Sequence, residues 1–467
     1  MLKMSLARMT CVIMAIAQYF VFSETVLSEA PAEFKQPNPA ADESNFGAKI
    51  SRTMTALATS TPEKRNPVRI LFYGQSITGQ PWTNAITSRL KKEYPNADLT
   101  IENRSIGGFT ADLLMKTATH DLYPFYPDLV IFHVYSSEAH GEHGEIEDII
   151  SKIRKLTTSE IVIATHHISH SGNNWAQNMH DNSSKIIREL AEKYDCELVD
   201  IREEWKQYLA DNKLEPKALL ADIVHLNDNG CKLMEALVWR HLRYNKDFPV
   251  PHADWIKNIP VQQNKDGSVK ISFTGNRVDL VAASTDKPGT AKILIDGKAP
   301  SANPLAYSIT RLSKAFEVWW PAIHTVSSQK PLLVEDWTLK ITEISDDAKK
   351  FRFEVSGSKT GPDGSGSSED EFISKSGRVV IAPKDFAIAG AQQYSKKKCP
   401  ADFEVKWSGV PMFQDVYAAP KTVDPAKPVR TTLAQLIENG PHTLEIIPNG
   451  DGLVPVSGVV SYQPNLK

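Results

Sequence analysis

Val68-Arg69-Ile70-Leu71-Phe72-Tyr73-Gly74-Gln75-Ser76-Ile77-Thr78 is the stretch that decides the fold of this chain. Its apolar first half reads as a buried strand. Residues 82–94, with apolar side chains at helical spacing, read as the helix that follows. A serine on a tight Gly-containing turn between the two is pushed out at the C-terminal edge of a sheet, where open α/β sheets bind their ligands. The helix N-terminus behind it has spare N–H groups that can stabilise an anion. Taken alone, the string is a weak signal, and an N-capping serine is its more usual reading.

The pattern around this stretch repeats. Strands are expected over 69–73, 99–103, 129–134, 161–165 and 197–200, with helical patterns between them, notably 145–156 and 178–194. Such alternation predicts a parallel sheet with helices on both faces. The strand ends at Ser76, Gly108, Ser137 and His166 are then expected to converge at one edge.

Far downstream lies Asp222-Ile223-Val224-His225, followed by an amphipathic helix from Cys231 to Tyr244. A serine nucleophile needs a base, and the base needs an orienting carboxylate. Asp and His three residues apart can supply both if their loop folds back on itself.

Together these blocks resemble the SGNH (GDSL-like) hydrolase family over residues 69–244. In that family the first block carries the nucleophile, here Ser76. The second has an Asn followed by a Gly whose N–H joins the oxyanion hole; Asn103-Arg104-Ser105-Ile106-Gly107-Gly108 matches it, with Gly108 at the glycine position. The last is Asp-x-x-His, matched by Asp222 and His225. The resemblance implies a flavodoxin-like three-layer parallel sheet and a Ser76, His225, Asp222 triad. It also implies an oxyanion hole from Ser76, Gly108 and, as third donor, Ser137 or a nearby side chain, with no cofactor. Two positions depart from the pattern. Gln75 replaces the usual Asp, outside the triad. Ser137 falls where the third block carries an oxyanion-donating Asn, and loss of one such donor typically costs about 10²–10³ in rate.

Seven histidines crowd residues 133–180: His133, His140, His143, His166, His167, His170 and His180. They fit a metal site, a polar, sugar-sized cleft or solvated loops, and no ligand spacing selects a metal. His166 and His167, just past the fourth strand, are the candidate substrate contacts. Trp175 on the same loop is a candidate for stacking on a sugar or for packing the loop.

The formal net charge is -3 with no basic block, which gives no reason to expect nucleic acid as a partner. Lys3 and Arg8 precede a mostly apolar run over 9–22 and small residues ending near Ala30, the pattern of a secretory signal. Residues 1–30 are therefore expected to be a signal peptide and the protein to be secreted or periplasmic. No stable membrane insertion is expected after cleavage. Residues 31–66 read as a lead-in and 67–248 as the hydrolase domain. Cys196, Cys231 and Cys399 permit at most one bridge, and Cys196 and Cys231 read as buried thiols.

Beyond Pro249-Val250-Pro251 the pattern changes to short alternating strands with Gly, Asp, Asn and Pro turns. Residues 252–467 are expected to form an antiparallel β-sandwich. Trp319-Trp320 and Trp337 suit a carbohydrate platform or, as such residues more often do, a sandwich core.

The reading is an exported serine esterase. By analogy with exported members of the family that carry β-domains, its substrate is expected to be an O-acetylated polysaccharide or oligosaccharide. The alternatives are a lipase or thioesterase with the same triad, and a carbohydrate-binding protein with a decayed site.

Overall fold

The computed structural model describes residues 33–135, 144–169 and 174–465, without the side chains of residues 174–176. The signal segment, Ser137, His140, His143 and His170 lie outside the described residues, as does the Trp175 side chain.

Five strands form the first sheet: β1 (Pro67–Gly74), β2 (Asp98–Asn103), β3 (Leu129–His133), β4 (Glu160–Ala164) and β5 (Glu197–Val199). All neighbours are parallel, in the order β2-β1-β3-β4-β5. This is the expected flavodoxin-like order, and its switch point lies between β1 and β3.

The alternation of side chains along each strand builds the three layers. Ile70, Phe72, Leu129, Ile131, Val162 and Ala164 pack on one face, against helices Ser51–Ala58, Trp82–Glu93, Ile201–Asn212 and Asp228–His241. Leu71, Tyr73, Val130, Phe132, Ile161 and Ile163 pack on the other, with helices Ala111–Asp121, Gly144–Leu156 and Asn174–Lys193. A strand buried on both faces cannot alternate polar with apolar residues, which is why these strands read as continuous apolar runs.

The lead-in is more ordered than its composition suggests. Ile50, Met54 and Leu57 are buried in the first of these cores, and Arg240 donates to the Pro37 carbonyl at 2.9 Å. The core of the α/β unit therefore takes in residues ahead of 67.

The antiparallel half contains β6 (Ile256–Ile259), β7 (Val269–Ala282), β8 (Thr290–Ile295), β9 (Tyr307–Ile309), β10 (Asp336–Ile344), β11 (Phe351–Gly357) and β12 (Gly361–Ser367). It continues with β13 (Phe372–Ile373), β14 (Val380–Ile381), β15 (Glu404–Pro411), β16 (Val416–Ala418), β17 (Arg430–Pro448) and β18 (Val456–Tyr462). Instead of one shared core there are two. The sheet β16-β8-β17-β7-β18-β6 is built on a long ribbon of β7 and β17, whose register shifts between Thr432 and Ala434 and between Gln435 and Gly440. One half of the ribbon pairs with β8 and the other with β18, and their apolar faces share one core. The sheet β12-β11-β10-β15-β9, inserted between β8 and β16 in the chain, has a separate core. Trp337 lies in that core, stacked on Trp407 with centroids 6.3 Å apart.

The halves are joined by polar contacts that no strand pattern announces. Arg311 pairs with the buried Asp121 carboxylate at 2.8 Å, and Lys116 with Asp385 at 2.8 Å. Tyr126 donates to Asn276 Oδ1 at 2.9 Å, and Asn276 to the Leu156 carbonyl at 2.9 Å. Trp320 packs against the cores of both halves.

Candidate active site

The Ser76 turn is fixed from three sides. Gly74 ends β1 at φ +156°, where a Cβ would lie 2.0 Å from the His133 carbonyl oxygen, so only glycine allows this approach to β3. Thr78 donates to that same carbonyl at 3.1 Å. Asn103 at the end of β2 donates to the Thr78 carbonyl at 2.7 Å. Ser76 itself is half-buried. It stands in a turn of its own, closed by the Gly79 N–H on the Gln75 and Ser76 carbonyls at 3.1 and 3.0 Å. The helix begins only at Trp82, whose indole donates to the Ile77 carbonyl at 2.6 Å. The helix thus starts where the spacing places it, and Gly79 and Pro81 separate it from the Ser76 turn.

Next to this turn runs the continuation of β2. The Arg104 and Ile106 N–H groups donate to the Phe72 and Gly74 carbonyls at 3.0 and 2.9 Å, extending the parallel ladder beyond the strand. Gly107 and Gly108 follow immediately. A Cβ on Gly107 would lie 3.7 Å from Ser76 Cβ, so the two residues are neighbours. The N–H groups of Ser76 and Gly108 have no acceptor among the described residues. Unsatisfied donors beside a hydroxyl can receive an oxyanion.

Asp222 and His225 meet as their spacing predicts. Their loop is closed by the Leu220–Leu226 bridge and by the Ala221 N–H on the His225 carbonyl at 2.7 Å. One Asp222 oxygen accepts the N–H groups of Val224 and His225 at 2.8 and 2.7 Å. The other accepts His225 Nδ1–H at 2.7 Å, leaving Nε2 as the basic nitrogen. Burial lifts the Asp222 carboxyl, but the N–H groups of His225 and Val224 and the imidazole outweigh it. The carboxyl is held below its ordinary range. Both side chains remain substantially exposed, Asp222 at 50% and His225 at 39%, so the pair is open to a substrate.

Ser76 Oγ and His225 Nε2 are not hydrogen-bonded to each other. Their segments are joined through Gln80. Its amide nitrogen donates to the Leu226 carbonyl at 2.9 Å, and its amide oxygen accepts the Leu226 N–H at 3.1 Å.

His166 and His167 do not face a cleft. Both are completely buried, so the expectation that they touch substrate is not met by their positions. His167 Nε2–H donates to the Val224 carbonyl at 2.8 Å, and Nδ1 accepts the Tyr135 hydroxyl at 3.3 Å. A carbonyl can only accept, which sets this tautomer. Burial drives the His167 pKa down to about 3, so the ring stays neutral while it supports the loop. His166 packs 4.2 Å from the Tyr135 ring, and neither of its nitrogens has a hydrogen-bond partner among the described residues. Burial, followed by repulsion from His133, His180, His167 and Arg202, holds it well below the ordinary range. Among the described residues no group of three or more His, Cys, Asp or Glu side chains is arranged to hold a metal ion. Cys196, Cys231 and Cys399 are free and buried.

Two features of the site carry no local sequence signal. One is Gln80, an unremarkable polar residue in a turn. The other is the contact of Trp319 and Trp320, expected as a sugar platform or core pair, with Gly107: both indole N–H groups donate to its carbonyl from the antiparallel half, at 2.8 and 2.9 Å. Trp319 is 45% exposed and lies edge-to-face with Tyr394, itself exposed, at 5.4 Å.

No family model matches the chain, and no curated protein is similar to it. Among solved structures it is similar to Axe2, an acetylxylan esterase from Geobacillus stearothermophilus, at 17% identity. That likeness covers 40% of this chain and 98% of that one, with a TM-score of 0.34. It is also similar to the acetyl xylan esterase AlAXEase, at 23% identity over 37% of this chain and 98% of that one, with a TM-score of 0.33. No helix among the described residues is long and apolar enough to cross a membrane.

Proposed function

We propose that this protein is a secreted serine esterase that removes O-acetyl groups from a polysaccharide. The observation that carries the reading is the Asp222–His225 pair, held on a closed loop that Gln80 ties to the Ser76 turn. In this mechanism Ser76 Oγ attacks the ester carbonyl while His225 Nε2 takes its proton. The developing oxyanion is received by the N–H groups of Ser76 and Gly108. Collapse breaks the ester C–O bond, and His225 returns the proton to the leaving sugar alkoxide. Water, deprotonated by His225, then attacks the acetyl carbonyl; collapse breaks the acyl C–Oγ bond, His225 returns the proton to Ser76 Oγ, and acetate is released. Asp222 holds the imidazole tautomer and stabilises the imidazolium in both halves of the cycle.

The carbohydrate part of the proposal is supported by Trp319 and Tyr394. They offer exposed aromatic surface next to Gly107, and a sugar ring stacks on such faces. Export is supported by the charged start, the apolar run and the small residues of 1–30. A carbohydrate-binding protein without turnover is the second reading, favoured by Ser137 in place of an Asn and by the open Ser76–His225 pair.

Acetate release from a panel of acetylated polysaccharides, acetylated xylan among them, compared with Ser76→Ala, tests the proposal. Release that disappears in the variant is expected. Release that persists in Ser76→Ala would overturn the assignment of the nucleophile. Binding without release from either protein would establish the second reading.

A further inference from the structure

The Gly107 carbonyl accepts two hydrogen bonds from outside its own structural unit, from Trp319 Nε1 at 2.8 Å and Trp320 Nε1 at 2.9 Å. The two rings lie 72° apart, and a carbonyl oxygen has two lone pairs to receive them. The chain has no cis peptide bond among the described residues, so the Gly108 N–H points away from this carbonyl in the same rigid plane. Fixing the oxygen therefore fixes the direction of the N–H. Hydrogen bonding to the carbonyl also polarises the peptide and makes its N–H a stronger donor.

Both residues of this peptide are glycine, and the surroundings show why. A Cβ on Gly107 would lie 3.1 Å from Trp319 Nε1. One on Gly108, at φ +84°, would lie 3.4 Å from Trp320 Nε1. The Trp320 indole is itself held in place. Trp320 packs against the cores of both halves, its carbonyl accepts the Ala315 N–H at 2.7 Å, and Tyr394 lies 5.1 Å from its ring.

We infer that Trp319 and Trp320 are positioning residues that set the plane of the Gly107–Gly108 peptide and aim the Gly108 N–H at the oxyanion. The inference rests on the esterase reading above. Its consequence is that the antiparallel half belongs to the catalytic site, because one wall of the oxyanion hole is oriented from there.

The test is the full chain with Trp319→Phe and Trp320→Phe, singly and together, assayed on p-nitrophenyl acetate, an ester without a sugar. Phe keeps an aromatic face and removes only the N–H donor and the second ring. The double variant is expected to lose about 10-fold or more in kcat at unchanged KM, less than the ~10²–10³ cost of deleting an oxyanion donor outright. Inhibition by methylboronic acid, whose tetrahedral adduct on Ser76 carries the same anionic oxygen, should weaken by the same factor. A kcat within twofold of the parent, with unchanged boronic acid inhibition, would overturn the inference while leaving the esterase reading intact. A rise in KM on acetylated sugars alone would also overturn it, since that marks a stacking surface. Parent activity that survives Ser76→Ala instead identifies failure of the underlying reading. If the double variant does not fold, Trp319→Phe, at a half-exposed ring, decides alone by the same two readouts.

Discussion

Gln80 and Leu226 exchange two hydrogen bonds, amide nitrogen to carbonyl at 2.9 Å and N–H to amide oxygen at 3.1 Å, across 146 residues of chain. The Gln side chain copies the donor–acceptor pattern of a neighbouring strand. It ties the turn of the proposed nucleophile to the residue after the proposed base. Gln80→Ala is expected to lower kcat by about 10- to 100-fold, the scale of an ångström-sized misplacement of reacting groups. Stability should fall by only about 1–2 kcal/mol for the two lost bonds. Steady-state kinetics with a urea titration checks both, and an unchanged kcat would mean that other contacts hold the segments together.

His167 supports the same loop from beneath, through the Val224 carbonyl. His167→Phe keeps the ring volume but leaves that carbonyl without its donor. An expected cost of about 1–3 kcal/mol in stability accompanies a lower kcat with little change in KM. A direct substrate contact would give the opposite split, with KM rising and stability kept, and that result would restore a binding role for this histidine.

Gly74→Ala should be severe. The new methyl would sit 2.0 Å from the His133 oxygen, at a φ that L-residues rarely adopt. Relief requires β1 and β3 to separate at the switch point, so a loss above about 3 kcal/mol is expected. Denaturation midpoints read this directly, and a variant as stable as the parent would refute the strand geometry described for Gly74.

Acid should destabilise the fold well before the carboxylates titrate. Burial is the leading cause that lowers His120 and His133 to about 4, and His167 and His324 to about 3. In the unfolded chain each takes up its proton near the ordinary value of about 6.5. Between that value and the folded one the unfolded state binds more protons, so stability is full above about pH 6.5 and falls as the pH drops. Each such histidine contributes at most about 1.4 kcal/mol per pH unit. Urea midpoints at pH 7.5, 6 and 5 should decrease steadily, and a flat profile over that range would show that these rings are not held neutral.

Much of the first half was legible because its signals are local. A strand buried on two faces is a run of apolar residues, as in residues 68–73 and 129–132, and the runs alternate with helical spacing. Asp222 and His225 are three residues apart, so one turn of chain brings them together. The second half reads as antiparallel, but its strand pattern does not separate its two cores. Period-two alternation says which face of a strand is buried and not which sheet buries it. The buried positions of His166 and His167 are not legible for a related reason, since a ring that lines a cleft and a ring that braces a loop from inside look alike in sequence.

By itself the sequence determined the order of strands and helices, the residue on the turn after β1, and the pairing of Asp222 with His225, because each depends on neighbours along the chain. Only the tertiary structure decided what holds these pieces in register. Gln80 meets Leu226 over 146 residues, His167 meets Val224 over 57, and Trp319 meets Gly107 over 212. A hydrogen bond between distant residues leaves no periodicity in either segment. Its existence is set by how the sheets and helices pack, and Trp319 acquires a partner in the other half only once both cores have formed.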